Sequence, residues 1–163
     1  MERLWSPWRM AYIEAHKDES LPEGCVFCAL RDHGDPDGER ILQRGALAFV
    51  TLAKYPYNPG HLLVLPNRHT ADLEDVTADE AAEIHASLQR CITALRAVSA
   101  PHGFNVGLNL GRTAGAGIPE HLHWHVVPRW GGDTNFMPVV GGTRVLPELL
   151  SETYERLRSA FEA

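Results

Sequence analysis

The sequence predicts a mixed domain in which antiparallel β-strands pack with one long helix and a second helix closes the chain. Apolar residues alternate with asparagine or glycine over residues 104–110 and with histidine over residues 121–126, as in half-buried strands. A short glycine-rich connection between these stretches favours antiparallel pairing. The long helix is predicted by apolar residues that recur at helical spacing after Thr77.

The remaining elements follow from local patterns along the chain. Residues 1–24 are interpreted as an irregular N-terminal arm, and residues 31–38, rich in Asp, Gly and Pro, as a loop. Residues 46–52 are predicted to form a strand. The turn at 55–60 leads into a second apolar strand at 61–65.

The long helix has both a start signal and a stop signal. Thr77 and Glu80 fit a capping box, and the helix should end near Ser99, before a proline. A second helix is predicted over residues 147–161. The apolar positions of the long helix are Ile84, Leu88, Ile92, Leu95 and Val98, with Cys91 interpreted as a small buried residue.

The amino-acid composition and net charge indicate which classes of binding partner the protein can have. The chain has 163 residues, 44% of them hydrophobic, and a formal net charge of −6, which fits one globular domain. The acidic balance argues against nucleic acid or an anionic membrane surface as the main partner. The chain has no apolar run long enough to cross a bilayer, and its N-terminus is too polar for a signal peptide, so we expect a cytoplasmic protein.

The alternation over residues 121–127 places three imidazoles on one face of a strand, those of His121, His123 and His125. Leu122, Trp124 and Val126 then face a core. Antiparallel pairing that buries both apolar faces, including Phe104, Val106, Leu108 and Leu110 of the neighbouring strand, also puts Asn109 on the histidine face.

A row of imidazoles next to a glycine-rich loop suits phosphoryl or nucleotidyl transfer. One imidazole can attack phosphorus, another can protonate the departing oxygen, and a third can orient the first. Backbone N–H groups of the loop and the amide of Asn109 can hold phosphate oxygens. The alternative from the residues alone is that the three imidazoles bind a metal ion.

At these residues the chain resembles the histidine triad (HIT) superfamily, whose motif of three histidines alternating with apolar residues matches at every position of 121–127. The resemblance covers most of residues 25–130. Further similar segments are 58–61, which ends in Pro-Gly-His, 67–69 and the Cys25-x-x-Cys28 pair. The arm around Trp5 and Trp8 and the segment 128–136 resemble a bacterial subgroup that includes diadenosine tetraphosphate phosphorylases.

The resemblance implies a fold and an organisation. The fold would be α+β, an antiparallel sheet crossed by one long helix and followed by a C-terminal helix, paired as a homodimer. Residues 1–163 would form a single HIT domain, with residues 1–24 as an arm and residues 131–163 as a C-terminal extension.

The resemblance also implies roles for individual residues. His123 would be the nucleophile that carries a covalent nucleotidyl group, and His125 would contact the phosphate and the scissile oxygen. His121 would support His123. Substrate contacts would come from Asn109, from the Gly117 amide and from His61 of the Pro-Gly-His segment.

A structural zinc ion is the cofactor that the resemblance implies. Branches of the family with a Cys-x-x-Cys pair bind zinc with two later histidines, which correspond here to Cys25, Cys28, His69 and His121. Two thiolates and two imidazoles suit tetrahedral zinc. The alternative is a pair of reduced thiols in a turn. If His121 binds zinc, its role is structural and not that of an acid or base.

Three positions bear on how far the family pattern extends. Ala53 stands where members often carry an Asn or Asp for the ribose hydroxyls, so the ribose must be recognised elsewhere or more weakly. Ile118 replaces a phosphate-binding Ser of some members. His125 is not the Gln of uridylyltransferase-type branches, which favours the hydrolase side.

The sequence thus predicts an enzyme that cleaves diadenosine polyphosphates or related nucleoside phosphoesters through a nucleotidyl-His123 intermediate, with water or inorganic phosphate as acceptor. Two alternatives stay open. The chain could be a nucleotide-binding or signalling protein with little turnover, or it could hydrolyse nucleoside phosphoramidates.

Overall fold

In a computed structural model, which describes residues 24–36, 38–133 and 148–162, the chain forms three helices and a five-stranded sheet within those ranges. The mixed α+β architecture is therefore confirmed. The elements in chain order are α1 (Val26–His33), β1 (Ile41–Arg44), β2 (Ala48–Leu52), β3 (Leu62–Pro66), α2 (Ala78–Ser99), β4 (Gly103–Leu108), β5 (Trp124–Arg129) and α3 (Leu150–Glu162). The predicted N-terminal arm, apart from Gly24, and most of the chain between Asp133 and α3 lie outside the described residues.

The sheet is antiparallel throughout, in the order β1-β2-β3-β5-β4. β5 therefore has a partner on each side. Leu63 of β3 and Gly107 of β4 both lie opposite His125. His61, two residues before Leu63, is a diagonal neighbour of His125 on the same face.

One face of the sheet packs against α2 and α3. The long helix begins as predicted, because the Thr77 hydroxyl accepts from the Glu80 amide while the Glu80 carboxylate accepts from the Thr77 amide. Residues from three strands and both helices form the main core. Its most buried members are Ala48, Val50, Leu52, Leu62, Val64, Cys91, Leu95, Val126 and Leu157.

A second apolar cluster lies on the other face of the sheet, beneath α1. Phe27 and Leu30 of the helix pack there with Phe49, Leu63 and Leu65 of the strands. Strand residues alternate between faces, so Leu63 joins this cluster while its neighbours Leu62 and Val64 join the main core. The cluster fixes α1 beside the histidines.

Several predictions about local structure were wrong. β5 begins at Trp124, so His121 and His123 precede the regular strand instead of lying in it. Val106, in the edge strand β4, and Leu110, after the end of β4, are each 46% exposed instead of buried. Residues 31–33 belong to α1 and not to a loop, and β1 was not predicted.

Candidate active site

The segment that carries the histidines runs into β5 through a short irregular stretch, which the Leu122 amide anchors by donating to the Thr70 carbonyl at 2.8 Å. His121 is fully buried and His123 is 7% exposed. The ring centroids of His123 and His125 are 5.0 Å apart. The three predicted histidines thus stay neighbours although only His125 lies in the strand.

His123 is held in one tautomer. Its Nδ1 lies 2.8 Å from the carbonyl oxygen of His121, and only a protonated nitrogen can donate to a carbonyl. In the neutral ring Nε2 therefore carries the lone pair. Burial lowers the pKa of His123, which favours the neutral form, and the Phe27 ring packs 5.1 Å from the imidazole. The result is an oriented neutral imidazole with a nucleophilic Nε2.

His125 is oriented by a chain of hydrogen bonds that starts at the backbone. The Tyr57 amide donates to Nδ1 of His61 at 3.1 Å, so a neutral His61 carries its proton on Nε2. That Nε2 lies 2.9 Å from Nδ1 of His125 and donates to it. The remaining proton of a neutral His125 is then on Nε2, where it can donate a hydrogen bond to a departing oxygen.

A glycine turn puts His61 in this position. Gly60 has φ +81°, and a Cβ there would lie 2.9 Å from Leu95 Cδ2 in the main core. Glycine can adopt a positive φ and can pack closely against a neighbour because it has no Cβ. His61, only 2% exposed, is thereby fixed between the turn and β5.

Cys25, Cys28, His69 and His121 form one cluster, with a ligand atom from each residue within 4.8 Å of every other. Nδ1 of His121 lies 3.3 Å from the Cys25 sulfur and 3.6 Å from that of Cys28. Nδ1 of His69 lies 3.6 Å from the Cys28 sulfur. The structure therefore brings together all four residues predicted to hold a metal ion.

The tautomer of His121 suits a metal ligand. Its Nε2 lies 3.0 Å from the Pro66 carbonyl, so it donates there and leaves the Nδ1 lone pair directed at the thiols. Such a hydrogen bond on the far nitrogen is usual for metal-bound histidine. Burial lowers the pKa of His121 to about 4, which keeps the ring neutral. The donor set and its spacing fit tetrahedral zinc.

The predicted substrate-binding residues are only partly brought together. A cavity of about 350 Å³ beside His125 is lined by Asn109 as well as by Tyr57, Asn58, Asn105 and Arg129. Gly117 is exposed and is not among the residues that line this cavity. Ala53 and Ile118 instead contribute to the apolar cluster of Phe27, where their side chains offer no polar group to a ribose.

Four residues near the histidines were not predicted to be part of the site. Tyr57, interpreted as a turn residue, stacks on His125 with ring centroids 5.7 Å apart and an interplanar angle of 11°. Asn58, also interpreted as a turn residue, is buried and donates to Asp133, which in turn binds Arg129. The alternation that defines the histidine face, continued past residue 127, is the sequence signal that could have found Arg129.

Among the described residues, no helix is long and apolar enough to cross a membrane.

Comparison with known sequences identifies relatives over nearly the whole chain. A family model described as "HIT domain" matches residues 38–132. A protein of Mycobacterium tuberculosis named AP-4-A phosphorylase is 46% identical over 158 residues, which cover 94% of this chain and 80% of the relative.

Comparison with solved structures gives the same family. A Zn-bound histidine triad family protein from Mycobacterium smegmatis has a TM-score of 0.68 at 29% identity, covering 85% of this chain and 94% of that one. A hypothetical histidine triad nucleotide-binding protein from Sulfolobus tokodaii has a TM-score of 0.69 at 26% identity, covering 85% and 92%.

Proposed function

This chain belongs to the HIT domain family, and on that premise we propose that it is a nucleotide-processing enzyme that cleaves diadenosine polyphosphates through a nucleotidyl-His123 intermediate. The observation that carries the proposal is the pair of fixed tautomers. His123 presents a lone pair on Nε2, and His125 presents a proton on Nε2, on adjacent rings.

The first step uses both groups at once. The Nε2 lone pair of His123 attacks the α-phosphorus, an N–P bond forms, and the bond from phosphorus to the bridging oxygen breaks. The electron pair of that bond goes to the oxygen of the departing nucleotide, which accepts a hydrogen bond from the Nε2–H group of His125. The bond from His123 Nδ1–H to the His121 carbonyl stabilises the positive charge that forms on the attacking imidazole.

The second step reverses these roles. An oxygen of water or of inorganic phosphate attacks the α-phosphorus, the N–P bond breaks, its electron pair returns to Nε2 of His123, and any proton that the acceptor loses is released to solvent. Water releases the nucleoside monophosphate, and inorganic phosphate releases the diphosphate. The 46% identity to a protein named AP-4-A phosphorylase favours phosphate as the acceptor.

Asn109 is proposed to hold a phosphate oxygen in both steps, because it lines the same cavity as His125. The Gly117 amide is proposed as a further donor, from the loop that precedes the histidines. The adenosine then lies toward the apolar cluster of Phe27, Ala53 and Ile118, which suits a purine ring better than a charged group.

We further propose a structural zinc ion held by Cys25, Cys28, His69 and His121. The spacing of the four donors and the hydrogen bond from His121 Nε2 to Pro66 support it. When bound, zinc fixes α1 to the histidine segment. The Nδ1 atoms of His123 and His125 are engaged in other hydrogen bonds, which disfavours a metal site made by the three triad histidines.

The assembly proposed is a homodimer in the cytoplasm. Val106 of the edge strand β4 and Leu110, just after the end of β4, are each 46% exposed, and the edge carries a row of backbone groups that a second copy can pair with. The pair of free thiols at Cys25 and Cys28 suits a reducing compartment.

Product analysis with diadenosine tetraphosphate tests the proposed function. ADP plus ATP formed only when phosphate is present identifies a phosphorylase, and AMP plus ATP without phosphate identifies a hydrolase. His123→Ala should abolish turnover but retain nucleotide binding, and mass spectrometry of quenched wild-type enzyme should detect the adenylylated His123. If neither product forms, turnover of adenosine 5′-phosphoramidate separates a phosphoramidate hydrolase from a binding protein.

A further inference from the structure

The cavity beside His125 extends along the sheet to Arg129. Alternation along β5 puts both side chains on the same face, four residues apart, which is about 13 Å in an extended strand. On the neighbouring strand Gly107 lies opposite His125, and Asn105 lies opposite Val127. The cavity therefore extends without interruption from the imidazole of His125 to the guanidinium group of Arg129.

That guanidinium is held in one plane. Nε and Nη2 of Arg129 donate to the two carboxylate oxygens of Asp133 at 2.6 and 2.9 Å. The Asn58 amide donates to Asp133 at 2.8 Å and to the Pro128 carbonyl at 2.9 Å. A bidentate pair with a buried amide behind it fixes the direction of the remaining guanidinium N–H groups.

The turn over residues 130–133 holds Asp133 in place. Gly132 has φ +81°, and the Trp130 amide donates to the Asp133 carboxylate at 3.1 Å. Nδ1 of His102 accepts from the Gly131 amide at 2.9 Å, and the Trp130 indole donates to the Ser99 carbonyl at the end of α2 at 3.2 Å. The turn is thus anchored to the helix and not only to the sheet.

Hydrogen-bond donors remain at the cavity end of this network. Nη1 of Arg129 donates to Oδ1 of Asn105 at 2.7 Å, which orients the Asn105 amide with its hydrogens available to a ligand. Among the described residues, the bonds above use three of the five guanidinium N–H groups. The Arg129 side chain is 40% exposed. The cavity therefore ends in oriented donors, which match a ligand rich in acceptor oxygens.

We propose that Arg129 and Asn105 bind the phosphate chain of the departing nucleotide. This inference rests on the proposed function, because it assigns the leaving group of that reaction. Phe27 and the thiol cluster occupy the space beside His121 and His123. The phosphate chain of the departing nucleotide therefore extends from the α-phosphate toward β4. Asp133 reduces the net charge of the subsite, so the subsite selects by hydrogen-bond geometry and lets the product nucleotide dissociate.

Two substrates with the same adenylyl group and different leaving groups test the subsite. Diadenosine tetraphosphate has a departing phosphate chain, and adenosine 5′-phosphoramidate has none. We expect Arg129→Met to lower kcat/KM for the first substrate about 10- to 100-fold more than for the second, the effect of losing a charge-assisted hydrogen bond. Asn105→Ala should lower the ratio of kcat/KM for diadenosine tetraphosphate to kcat/KM for adenosine 5′-phosphoramidate as well, but by a smaller factor. Arg158→Met removes the same charge from the exposed side of α3 and should leave the ratio unchanged.

Different outcomes overturn the subsite and the proposed function. An equal loss on both substrates, or no loss on either, overturns the subsite. Asn105→Ala keeps the Arg129–Asp133 pair, so it gives a result even if Arg129→Met folds poorly. A wild-type enzyme that processes neither substrate overturns the proposed function instead. One that processes only the phosphoramidate overturns both the proposed substrate and the subsite.

Discussion

Nδ1 of His123 donates to the backbone carbonyl of His121 at 2.8 Å, and the side chain of that same His121 faces two cysteine sulfurs. One residue therefore belongs to both the thiol cluster and the support of the nucleophile. Its Nε2 is anchored to Pro66 at the end of β3. Any ligand that fixes the His121 ring also limits the movement of the carbonyl that orients His123.

Removal of a metal ion should lower the stability of the protein as well as its metal content. We expect one zinc ion per chain by elemental analysis. Chelation or Cys28→Ser should remove it and lower the free energy of unfolding by about 3 kcal/mol, the contribution of a ligand present at a hundred times its Kd. Cys91→Ala, which alters a buried core thiol, should keep the zinc. Equimolar zinc retained by Cys28→Ser would contradict the four-residue site.

Replacement of His61 should slow the departure of the leaving group more than it weakens substrate binding. His61→Phe removes the donor that keeps the proton of His125 on Nε2, so kcat should fall about 100-fold with KM little changed. The loss should be larger for adenosine 5′-phosphoramidate, whose nitrogen departs poorly without a hydrogen-bond donor, than for a 4-nitrophenyl ester of AMP, whose leaving group is a weakly basic phenolate. His85→Phe, on the exposed side of α2, is the matched control. An equal loss on both substrates would indicate that His61 has only a structural role.

The sequence predicted best those features that local patterns determine. The capping box at Thr77 and the apolar repeat behind it specify α2 almost to the residue. Alternation found β4 and β5, because period 2 is a property of the strand itself, and a continuous apolar run found β3. The cluster of Cys25, Cys28, His69 and His121 came from the family resemblance, and the structure brings its members together.

The features that were missed depend on tertiary contacts. The exposure of Val106 follows from the position of β4 at the sheet edge, which alternation cannot reveal. The network from Asn58 to Arg129 joins residues 71 positions apart through Asp133, and such a contact leaves no local spacing. The irregular stretch before Trp124 arises because His121 is drawn toward the cysteines and Pro66.

The ion pair of Glu80 and Arg68 should make the free energy of unfolding decrease as the pH is lowered into the acid range. Hydrogen bonds from the Arg68 guanidinium and from the Thr77 amide lower the pKa of Glu80 from 4.5 to about 2. As pH falls through this window the unfolded chain takes up the proton first, so the stabilisation is complete above about pH 4.5 and is lost toward pH 2. Glu80→Gln should cost about 1–2 kcal/mol at pH 7, less than the full shift because Arg68 is half exposed.

Denaturant titrations at several pH values measure this dependence. The difference in unfolding free energy between wild type and Glu80→Gln should shrink as the pH is lowered from 5. Glu74→Gln removes the same charge from the exposed turn before α2 and serves as the control. A difference that stays constant with pH would show that the carboxylate charge of Glu80 does not contribute.

Gly60 is predicted to be required for both backbone and packing reasons. Gly60→Ala forces an L side chain into φ +81° and puts a Cβ 2.9 Å from Leu95 Cδ2, so we expect a loss of about 1–3 kcal/mol in unfolding free energy. Gly103→Ala is the matched control, because a Cβ there meets nothing within 4 Å. In the double variant with Leu95→Ala the packing part of the loss should disappear while the backbone part remains. Strict additivity of the two single losses would contradict the contact between Gly60 and Leu95 as a cause.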